Sequence, residues 1–458
     1  MSARGADTAA ATPIDEDAFD RRMAALGPFE QAPNIAVAVS GGPDSLCLAL
    51  LLHRWTSKNG GRTIALIVDH GLRPESRDEA RAVEHQLMAL GLPAYVLTWI
   101  GPKPRNNIQA AARRARYDLL LDWCRAHGVI QLALGHHAVD QAETHLLRRR
   151  AGSGTAGLAG ISRVSDRDGV RVIRPLLSLH PGRLRATLAA DGVNWIEDPS
   201  NRDPKYARTA LRREILAAGS VSRLCTQANR YAKARRTADH RIAELLAKSA
   251  KLFPTGHASI HAPSFATMDA GDGRRCLASI ISCVGNLDYP PRTARLEAWR
   301  VDIIGKGLNG ARTLGGCLIW QETPAAILVC REASAADEIL SVEAGLDRMW
   351  DGRFKIRIGG TRASASPLTI RRLDDDAWGV LRRRHPDAAT ALMENPGDGR
   401  LPAPVRAALP MLCDLDGPLA LPHLPKQSVR PPNGHFSLRI SFQPHRSLAG
   451  PSFVANGG

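Results

Sequence analysis

The first half of the chain alternates short apolar runs with longer amphipathic stretches. Short runs of β-branched and apolar residues bounded by Gly or polar turns predict strands, and stretches with apolar residues three or four positions apart predict helices. This alternation predicts an α/β fold with a parallel sheet covered by helices on both faces. The predicted strands are 35–39, 63–69, 94–100 and 129–135, and the predicted helices are 46–55, 75–90, 107–126 and 138–150.

The pattern changes after residue 150. A small-residue loop at 151–160 is followed by the apolar run VRVIRPLL, a helix-like segment at 181–192 and a last helix at 207–216. Residues 222–305 are rich in Ala, Arg and Leu and predict helices, whereas 316–332 predicts a hairpin. Short strand-like pieces (RFKIRI, PLTIRR and FSLRISF) then lie among Pro, Gly and Arg.

The length of 458 residues is enough for about three domains. The predicted divisions are a flexible N-terminal segment (1–30), an α/β domain (31–218), a mainly helical domain (219–335) and a small α+β domain (336–458).

The chain is strongly basic. It has 61 Lys and Arg against 45 Asp and Glu, which gives a formal net charge of +16. Such an excess favours a polyanionic partner, and nucleic acid is the usual one. A uniformly basic, Arg-rich surface is the alternative, and charge alone leaves both open.

The eight cysteines are scattered, and no two form a C-x-x-C pair. The spacing therefore lacks the usual pattern of a zinc site or an iron–sulfur cluster. Reduced thiols in a cytoplasmic protein are expected. The N-terminus has early acids and no apolar core, unlike a secretory signal, and no apolar stretch approaches membrane-spanning length. The prediction is a cytoplasmic protein with no membrane partner.

A small-residue loop connects the first predicted strand to its helix. Backbone N–H groups at a helix start form an anion site, glycines let the main chain approach a phosphate, and serines add hydroxyl donors. The GxxxxGK[ST] pattern is absent, so this is not a Walker-type loop. A capped Gly turn is the alternative, but the whole strand–loop–helix unit favours a phosphate site. The loop residues are Ser40, Gly41, Gly42, Pro43, Asp44 and Ser45.

Other polar residues follow the neighbouring strands. Asp69-His70 and His136-His137 end two of them, and ligands of open α/β sheets bind beyond the carboxyl ends of the strands. His136, Asp140 and Glu143 would share one helix face if the helix reaches back to His136. A solvated acidic face and a zinc site are the alternatives for these three residues.

Several motifs occur in order along residues 34–216. They are the loop IAVAVSGGPDS, DHGLRPES, IQAAARRARYDLL, GHHAVDQAETHLLRRRAGSGTAGLAGI, IRPLL and WIEDPSNRD. Together they resemble the tRNA(Ile)-lysidine synthetases, a family of PP-loop (N-type) ATP pyrophosphatases. A weaker likeness at TLGGC (313–317) and the hairpin after it extends into the second domain.

The resemblance implies a two-step reaction. ATP adenylates the carbon-2 oxygen of the wobble cytidine in an isoleucine tRNA with a CAU anticodon, and pyrophosphate leaves. The ε-amine of free L-lysine then displaces AMP to give lysidine. ATP and Mg²⁺ are the implied cofactors, isoleucine tRNA and L-lysine the partners, and a homodimer is allowed.

The resemblance also implies roles for single residues. The ATP site would be the loop 40–45 with Asp69 and His70, and Asp44 would also hold the metal. The lysine and cytidine would contact His136, Asp140 and Glu143. The implied catalytic residues are Asp44, Arg113 and Asp140, and the implied tRNA-binding residues are Arg116, Arg208 and Arg212.

Two positions depart from the family pattern. The family has two adjacent acids where this chain has Val139 and Asp140, and it has Asn where this chain has Thr209. These departures keep open a catalytically weakened tRNA-binding protein. A PP-loop tRNA thiolase is a further alternative, which the missing cysteine pair disfavours. A basic cluster at 382–384 is predicted to contact the tRNA body, because such clusters track phosphate backbones.

Overall fold

The structure is a computed structural model. It describes residues 12–101, 103–104, 106, 108–167, 169–196, 207–287, 289–305, 308, 310–343, 345–360, 367–393, 401–415, 417–420 and 436–450. These residues form two compact units, of which the first ends at Asp239 and the second runs from His240 to Gly450.

A six-stranded sheet forms the centre of the first unit. Its strands lie in the order β3-β2-β1-β4-β6-β5, and every neighbouring pair is parallel except β5 with β6. The strands are β1 (Asn34–Val39), β2 (Arg62–Asp69), β3 (Ala94–Thr98), β4 (Gln131–Ala133), β5 (Val164–Arg167) and β6 (Val170–Ile173). The predicted α/β class with a parallel sheet is therefore confirmed, with one antiparallel edge strand added.

The helices of this unit connect the strands and continue beyond them. They are α1 (Glu16–Ala24), α2 (Pro43–Lys58), α3 (Ser76–Ala89), α4 (Ile108–Ala126), α5 (Ala138–Arg150), α6 (Thr155–Leu158), α7 (Pro181–Ala190), α8 (Ala207–Ala217) and α9 (Val221–Ser249). Helix α6 lies inside the predicted loop 151–160, and α9 contains the division between the two units.

Alternate residues of β1 enter two different cores, as the period of a strand requires. Ile35 and Val37 pack in a cluster with residues of α2 and α7. Ala36 packs instead with Tyr117 and Leu120 of α4. Both faces of the central strand are therefore covered, which explains its continuous apolar sequence.

The second unit contains three small sheets. The helices here are α10 (Ala262–Ala266), α11 (Ala270–Val284), α12 (Thr293–Gly305), α13 (Asp375–Arg384), α14 (Pro386–Met393) and α15 (Ala403–Arg406). The first sheet has the order β7-β8-β11-β10-β9 and is antiparallel throughout. Its strands are β7 (Ala250–Leu252), β8 (Ala258–His261), β9 (Arg312–Leu314), β10 (Cys317–Thr323) and β11 (Ala326–Arg331).

The predicted hairpin at 316–332 is the pair β10–β11. The region 219–335 holds this sheet as well as the expected helices, because strands of three or four residues such as β7 and β8 are too short to show a period in the sequence.

The other two sheets follow residue 339. They consist of β12 (Leu340–Ser341), β15 (Thr369–Arg372), β16 (Pro410–Asp414) and β17 (Gly417–Ala420), and of β13 (Asp347–Trp350), β14 (Phe354–Gly360) and β18 (Phe436–Phe442). The strand-like pieces expected from sequence are β14, β15 and β18. No helix in the described part of the chain is both long enough and apolar enough to cross a membrane.

A buried ion cluster joins β11 to the turn after β13. Asp351 accepts hydrogen bonds from Arg331 at 2.8 and 3.2 Å and from Arg353 at 2.6 Å, and the Arg353 side chain is 1% exposed. Burial lowers the pKa of Arg353. Removing the shared carboxylate would therefore leave two buried guanidinium groups without their anion.

We expect Asp351→Asn to lower the free energy of unfolding by about 3 kcal/mol, because breaking a buried ion pair leaves an uncompensated charge. Asn tolerates the backbone φ of +49° at this position. Urea unfolding of the full chain measures the change. Asp302→Asn, which removes a half-exposed partner of Arg312, is the matched control. Equal stability of the two variants would contradict this role for Asp351.

Candidate active site

The loop between β1 and α2 folds back on the start of the helix. Gly41 has a φ of +78°, and Gly42 is extended and caps α2, with Pro43 at its first position. The Ser45 hydroxyl accepts a hydrogen bond from the Ser40 N–H at 3.1 Å and donates to the Gly42 carbonyl at 3.1 Å. Pro at the first position and an extended Gly before it are typical of a helix start. The loop therefore presents a helix N-terminus, which suits an anionic ligand.

The Gly41 position requires glycine for two reasons. A side chain there would adopt a left-handed backbone, and its Cβ would lie 2.7 Å from Val83 Cγ2. We expect Gly41→Ala to cost about 1–2 kcal/mol from the backbone alone. It should also raise the KM for ATP, the substrate that the resemblance implies, because the loop must shift. Urea unfolding and pyrophosphate release measure the two effects. Gly154→Ala, with open space around its Cβ, is the control. An unchanged KM for ATP would contradict the prediction.

His137 links the loop to helix α5. Its Nε2 lies 3.4 Å from Asp44 Oδ2, and its Nδ1 lies 3.5 Å from Asp140 Oδ2. The backbone N–H of His137 donates to Asp140 at 2.9 Å, and its Nδ1 accepts from the Val139 N–H, so the two residues cap α5 reciprocally. Burial alone would lower the pKa of His137, but the adjacent carboxylates of Asp140 and Asp44 outweigh it and raise the pKa. His137 therefore lies between two carboxylates, with its Nδ1 accepting from the Val139 N–H and its Nε2 facing Asp44.

Arg212 of α8 bridges the two acids of α5. Its Nε donates to Glu143 at 2.5 Å and one of its Nη atoms donates to Asp140 at 2.7 Å. Burial raises the pKa of Glu143, although Arg212 opposes that change. Burial alone would raise the pKa of Asp140, but the neighbouring side chains of His137, His136 and Arg212 and the hydrogen bond from the His137 N–H together outweigh it and lower the pKa. The sequence predicted an acidic face at Asp140 and Glu143, and the structure places an arginine on it.

The helix does not reach back to His136, so the condition for a face shared with Asp140 and Glu143 is not met. Helix α5 begins at Ala138, so His136 lies before the cap and does not continue the face that holds Asp140 and Glu143. Burial, with the nearby charge of Arg174, lowers the pKa of His136 to about 3. His136 is therefore neutral, and the charged groups near it include Arg113, Arg116 and Arg174.

Arginines surround the buried ring of Tyr117 on α4. The Arg113 and Arg167 guanidinium carbons lie 5.4 and 4.6 Å from the ring centroid. Arg174 donates to the Ser162 carbonyl at 2.9 Å. Burial raises the Tyr117 pKa, but these arginines and Arg116 outweigh it and lower the pKa. Sequence reasoning named Arg113 and Arg116 and missed Arg167 and Arg174, which lie far along the chain on and after the two strands β5 and β6.

The Asp69 carboxylate closes the turn after β2. It accepts hydrogen bonds from the Gly71 N–H at 2.9 Å and from the Ser76 hydroxyl at 2.7 Å. His70 is half-buried, and burial together with Arg116 lowers its pKa. Asp69 therefore has a structural role of its own, and ATP contacts of Asp69 and His70 stay predictions.

Three further side chains of α5 hold the small-residue loop 151–160. Gln141 accepts from the Ile161 N–H at 2.6 Å, His145 contacts the Leu158 carbonyl at 2.7 Å, and Arg148 donates to the carbonyls of Gly157 and Gly160. Their role in holding the loop was not predicted from the sequence. The one indication was that all three residues belong to the motif at 135–161.

The two departures from the family pattern fall in different surroundings. Val139 is fully buried in an apolar cluster with Leu211, Ile215 and Leu224, away from the acid pair. The carboxylate that the family has at this position is therefore missing, and Asp140 and Glu143 are the acids that α5 retains. Arg208 and Thr209 lie in α8, but the structure does not describe their side chains. Residues 197–203 of the WIEDPSNRD motif also lie outside the described residues.

The residues present fit a magnesium ion better than zinc. Asp44 Oδ1 is buried without a hydrogen-bond partner in the structure. An unpaired carboxylate oxygen suits Mg²⁺, which is bound through one or two carboxylates, substrate phosphates and water. Among the residues described, no group of three His, Cys, Asp or Glu side chains could hold a metal ion. The zinc alternative therefore has no support in this part of the chain.

The sheet order, the glycine loop at its central strand and the carboxylate in the first turn of α2 define a PP-loop protein. A family of PP-loop domains matches residues 15–218. The tRNA(Ile)-lysidine synthase of Ruegeria pomeroyi is 37% identical over 332 residues, which cover 70% of this chain and 76% of that protein. The tRNA(Ile)-lysidine synthase of Methylobacterium nodulans is 39% identical over 333 residues, 68% of this chain and 94% of that protein.

The chain therefore belongs to the tRNA(Ile)-lysidine synthase family and is a PP-loop ligase. Among solved structures, a U34-tRNA thiolase from Methanococcus maripaludis is 18% identical, with a TM-score of 0.39 over 47% of this chain and 78% of that one. This likeness is too distant to favour the thiolase alternative. All eight cysteines are free, and seven of them are buried.

Proposed function

We propose that this protein converts the wobble cytidine of a CAU-anticodon isoleucine tRNA to lysidine, using ATP and free L-lysine. One observation carries the proposal. His137 lies against the PP-loop carboxylate of Asp44 on one side and against Asp140, the first acid of α5, on the other. A phosphate site and a site for a cationic amine therefore adjoin each other, as an adenylation followed by amine attack requires.

In the first step the carbon-2 oxygen of cytidine attacks the α-phosphorus of ATP. The bond to the bridging oxygen breaks, and pyrophosphate leaves. Backbone N–H groups at the start of α2 and the hydroxyls of Ser40 and Ser45 would bind the departing phosphates, because fixed donors stabilise developing charge without reorganisation. Asp44 would hold Mg²⁺, which supplies charge neutralisation when bound. Arg113 lies at the rim of the arginine cluster and would neutralise the adenylyl phosphate.

In the second step the lysine ε-amine attacks carbon 2, the bond from carbon 2 to oxygen breaks, and AMP leaves. An amine with a pKa near 10.4 is neutral only about once in 2,500 molecules at pH 7, which corresponds to roughly 4.6 kcal/mol. The negatively charged Asp140 carboxylate would bind the ammonium group of lysine. Glu143, whose pKa burial raises, would accept the proton.

The weakened-enzyme alternative rests on the missing carboxylate at Val139 and on the missing Asn at Thr209. Val139 packs in an apolar core, and Asp140 and Glu143 supply the carboxylates that the proposal uses. The basic residues Arg116 and Arg208 and the exposed cluster at 382–384 are proposed to contact tRNA phosphates. A cytoplasmic location stays a prediction of the sequence, which leaves the oligomeric state open.

A direct assay tests the proposal. Purified full-length protein is incubated with ATP, labelled L-lysine and an isoleucine tRNA carrying the CAU anticodon. We expect label in the tRNA together with release of one AMP and one pyrophosphate. A matched tRNA with a different wobble base is the control. Binding of the tRNA without lysine incorporation would support the weakened-enzyme alternative and contradict the proposal.

A further inference from the structure

Arg212 occupies hydrogen-bond acceptors that the second step needs. Asp140 Oδ1 and Glu143 Oε1 accept from its guanidinium, and Asp140 Oδ2 accepts from the His137 N–H. Three of the four oxygens of the acid pair are therefore engaged within the protein. An incoming ammonium group that binds the same pair has to compete for these oxygens.

The Arg212 guanidinium carries the same positive charge as the ammonium group of the substrate lysine. Glu143 and Asp140 are largely buried, with side chains 6% and 21% exposed, whereas 35% of the Arg212 side chain is exposed. Two buried carboxylates without a cation are costly, so a counter-ion from the chain itself stabilises the empty site. Because Arg212 is the most exposed member, it can rotate toward solvent while the two acids stay in place.

We infer that Arg212 is a stand-in for the ammonium of the substrate, holding the Asp140–Glu143 pair in its binding geometry and leaving when lysine binds. This inference rests on the proposed function, since it takes the acid pair as the lysine site. Arg212 thereby sets the apparent affinity for lysine, because each binding event must displace a guanidinium that donates to both Asp140 and Glu143. Cations that bind the two carboxylates too weakly to displace Arg212 are excluded from Asp140 and Glu143.

A binding experiment on the full-length protein tests this role. We expect Arg212→Gln to bind free L-lysine at least about tenfold more tightly than the parent in calorimetry, since the competing cation is gone. Millimolar methylguanidinium should weaken lysine binding to this variant and leave the parent unchanged, because only the variant has room for an external guanidinium. A purely structural role for Arg212 would produce no such selective competition.

The matched control is Arg150→Gln. Arg150 donates to Glu214 at 2.7 and 2.9 Å and so also joins α5 to α8, but through an exposed pair. Its lysine affinity should equal that of the parent. Arg212→Lys, which keeps the positive charge with fewer donors, should bind lysine with intermediate affinity and covers the case in which Arg212→Gln does not fold.

Unchanged or weaker lysine binding by Arg212→Gln, or insensitivity of that variant to methylguanidinium, would overturn the inference. Failure of the proposed function is distinguishable from this outcome. It would appear as absent lysine incorporation into tRNA by the parent protein, whereas the binding comparison needs neither tRNA nor ATP.

Discussion

Replacing Asp44 by Asn is expected to reduce ATP-dependent pyrophosphate release by about a hundredfold to a thousandfold, the range typical for loss of one preorganised electrostatic group. Asn keeps the shape of the side chain but removes the negative charge in the first turn of α2, where Oδ1 is buried without a partner and Oδ2 lies 3.4 Å from His137. The measurement is pyrophosphate release in the presence of tRNA, with and without lysine.

A control variant separates this effect from general damage. Asp122→Asn removes a carboxylate of the same unit that lies in α4 and is 67% exposed. Its pyrophosphate release should match that of the parent, and both variants should unfold at similar urea concentrations. If Asp44→Asn released pyrophosphate at the parental rate, Asp44 would be a helix-capping carboxylate and its assignment to the metal would fail.

Replacing Glu143 by Gln is expected to act on the second step. The substitution conserves volume and keeps an acceptor for Arg212, but Gln cannot take a proton from the lysine amine. General acid–base groups contribute about a hundredfold to ten-thousandfold, so lysine incorporation should fall by that order. Pyrophosphate release should continue, because the PP-loop carboxylate of Asp44 lies against His137, whereas Glu143 accepts from Arg212. Parallel assays of pyrophosphate and of labelled tRNA distinguish the two steps.

Glu214→Gln provides the comparison for Glu143. Glu214 lies on α8 and also pairs with an arginine, but its side chain is 55% exposed. Lysine incorporation by this variant should equal that of the parent. Equal loss in both assays for Glu143→Gln would show that Glu143 supports the architecture of the site and has no separate part in the attack by lysine.

Local sequence was sufficient where a feature depends on neighbours in the chain. An apolar run, two glycines and a leucine-rich segment predict the strand, loop and helix over residues 34–58. Each of these sequence features determines the local conformation of the residues that carry it. The α/β class followed because alternating strands and helices allow few arrangements. Strands β7 and β8 of the second unit escaped prediction because three or four residues carry too little periodicity.

The candidate site divides in the same way. Local sequence determined which residue types are available at the carboxyl edge of the sheet: the loop with Asp44, the histidine doublet, and the acids of α5. Only the tertiary structure decided that His137, and not His136, links the two halves, because the start of α5 sets which imidazole faces the carboxylates. It likewise decided that Arg212, 72 residues beyond Asp140, pairs with the acids. Such pairings depend on burial and on packing between α5 and α8, which no local pattern encodes.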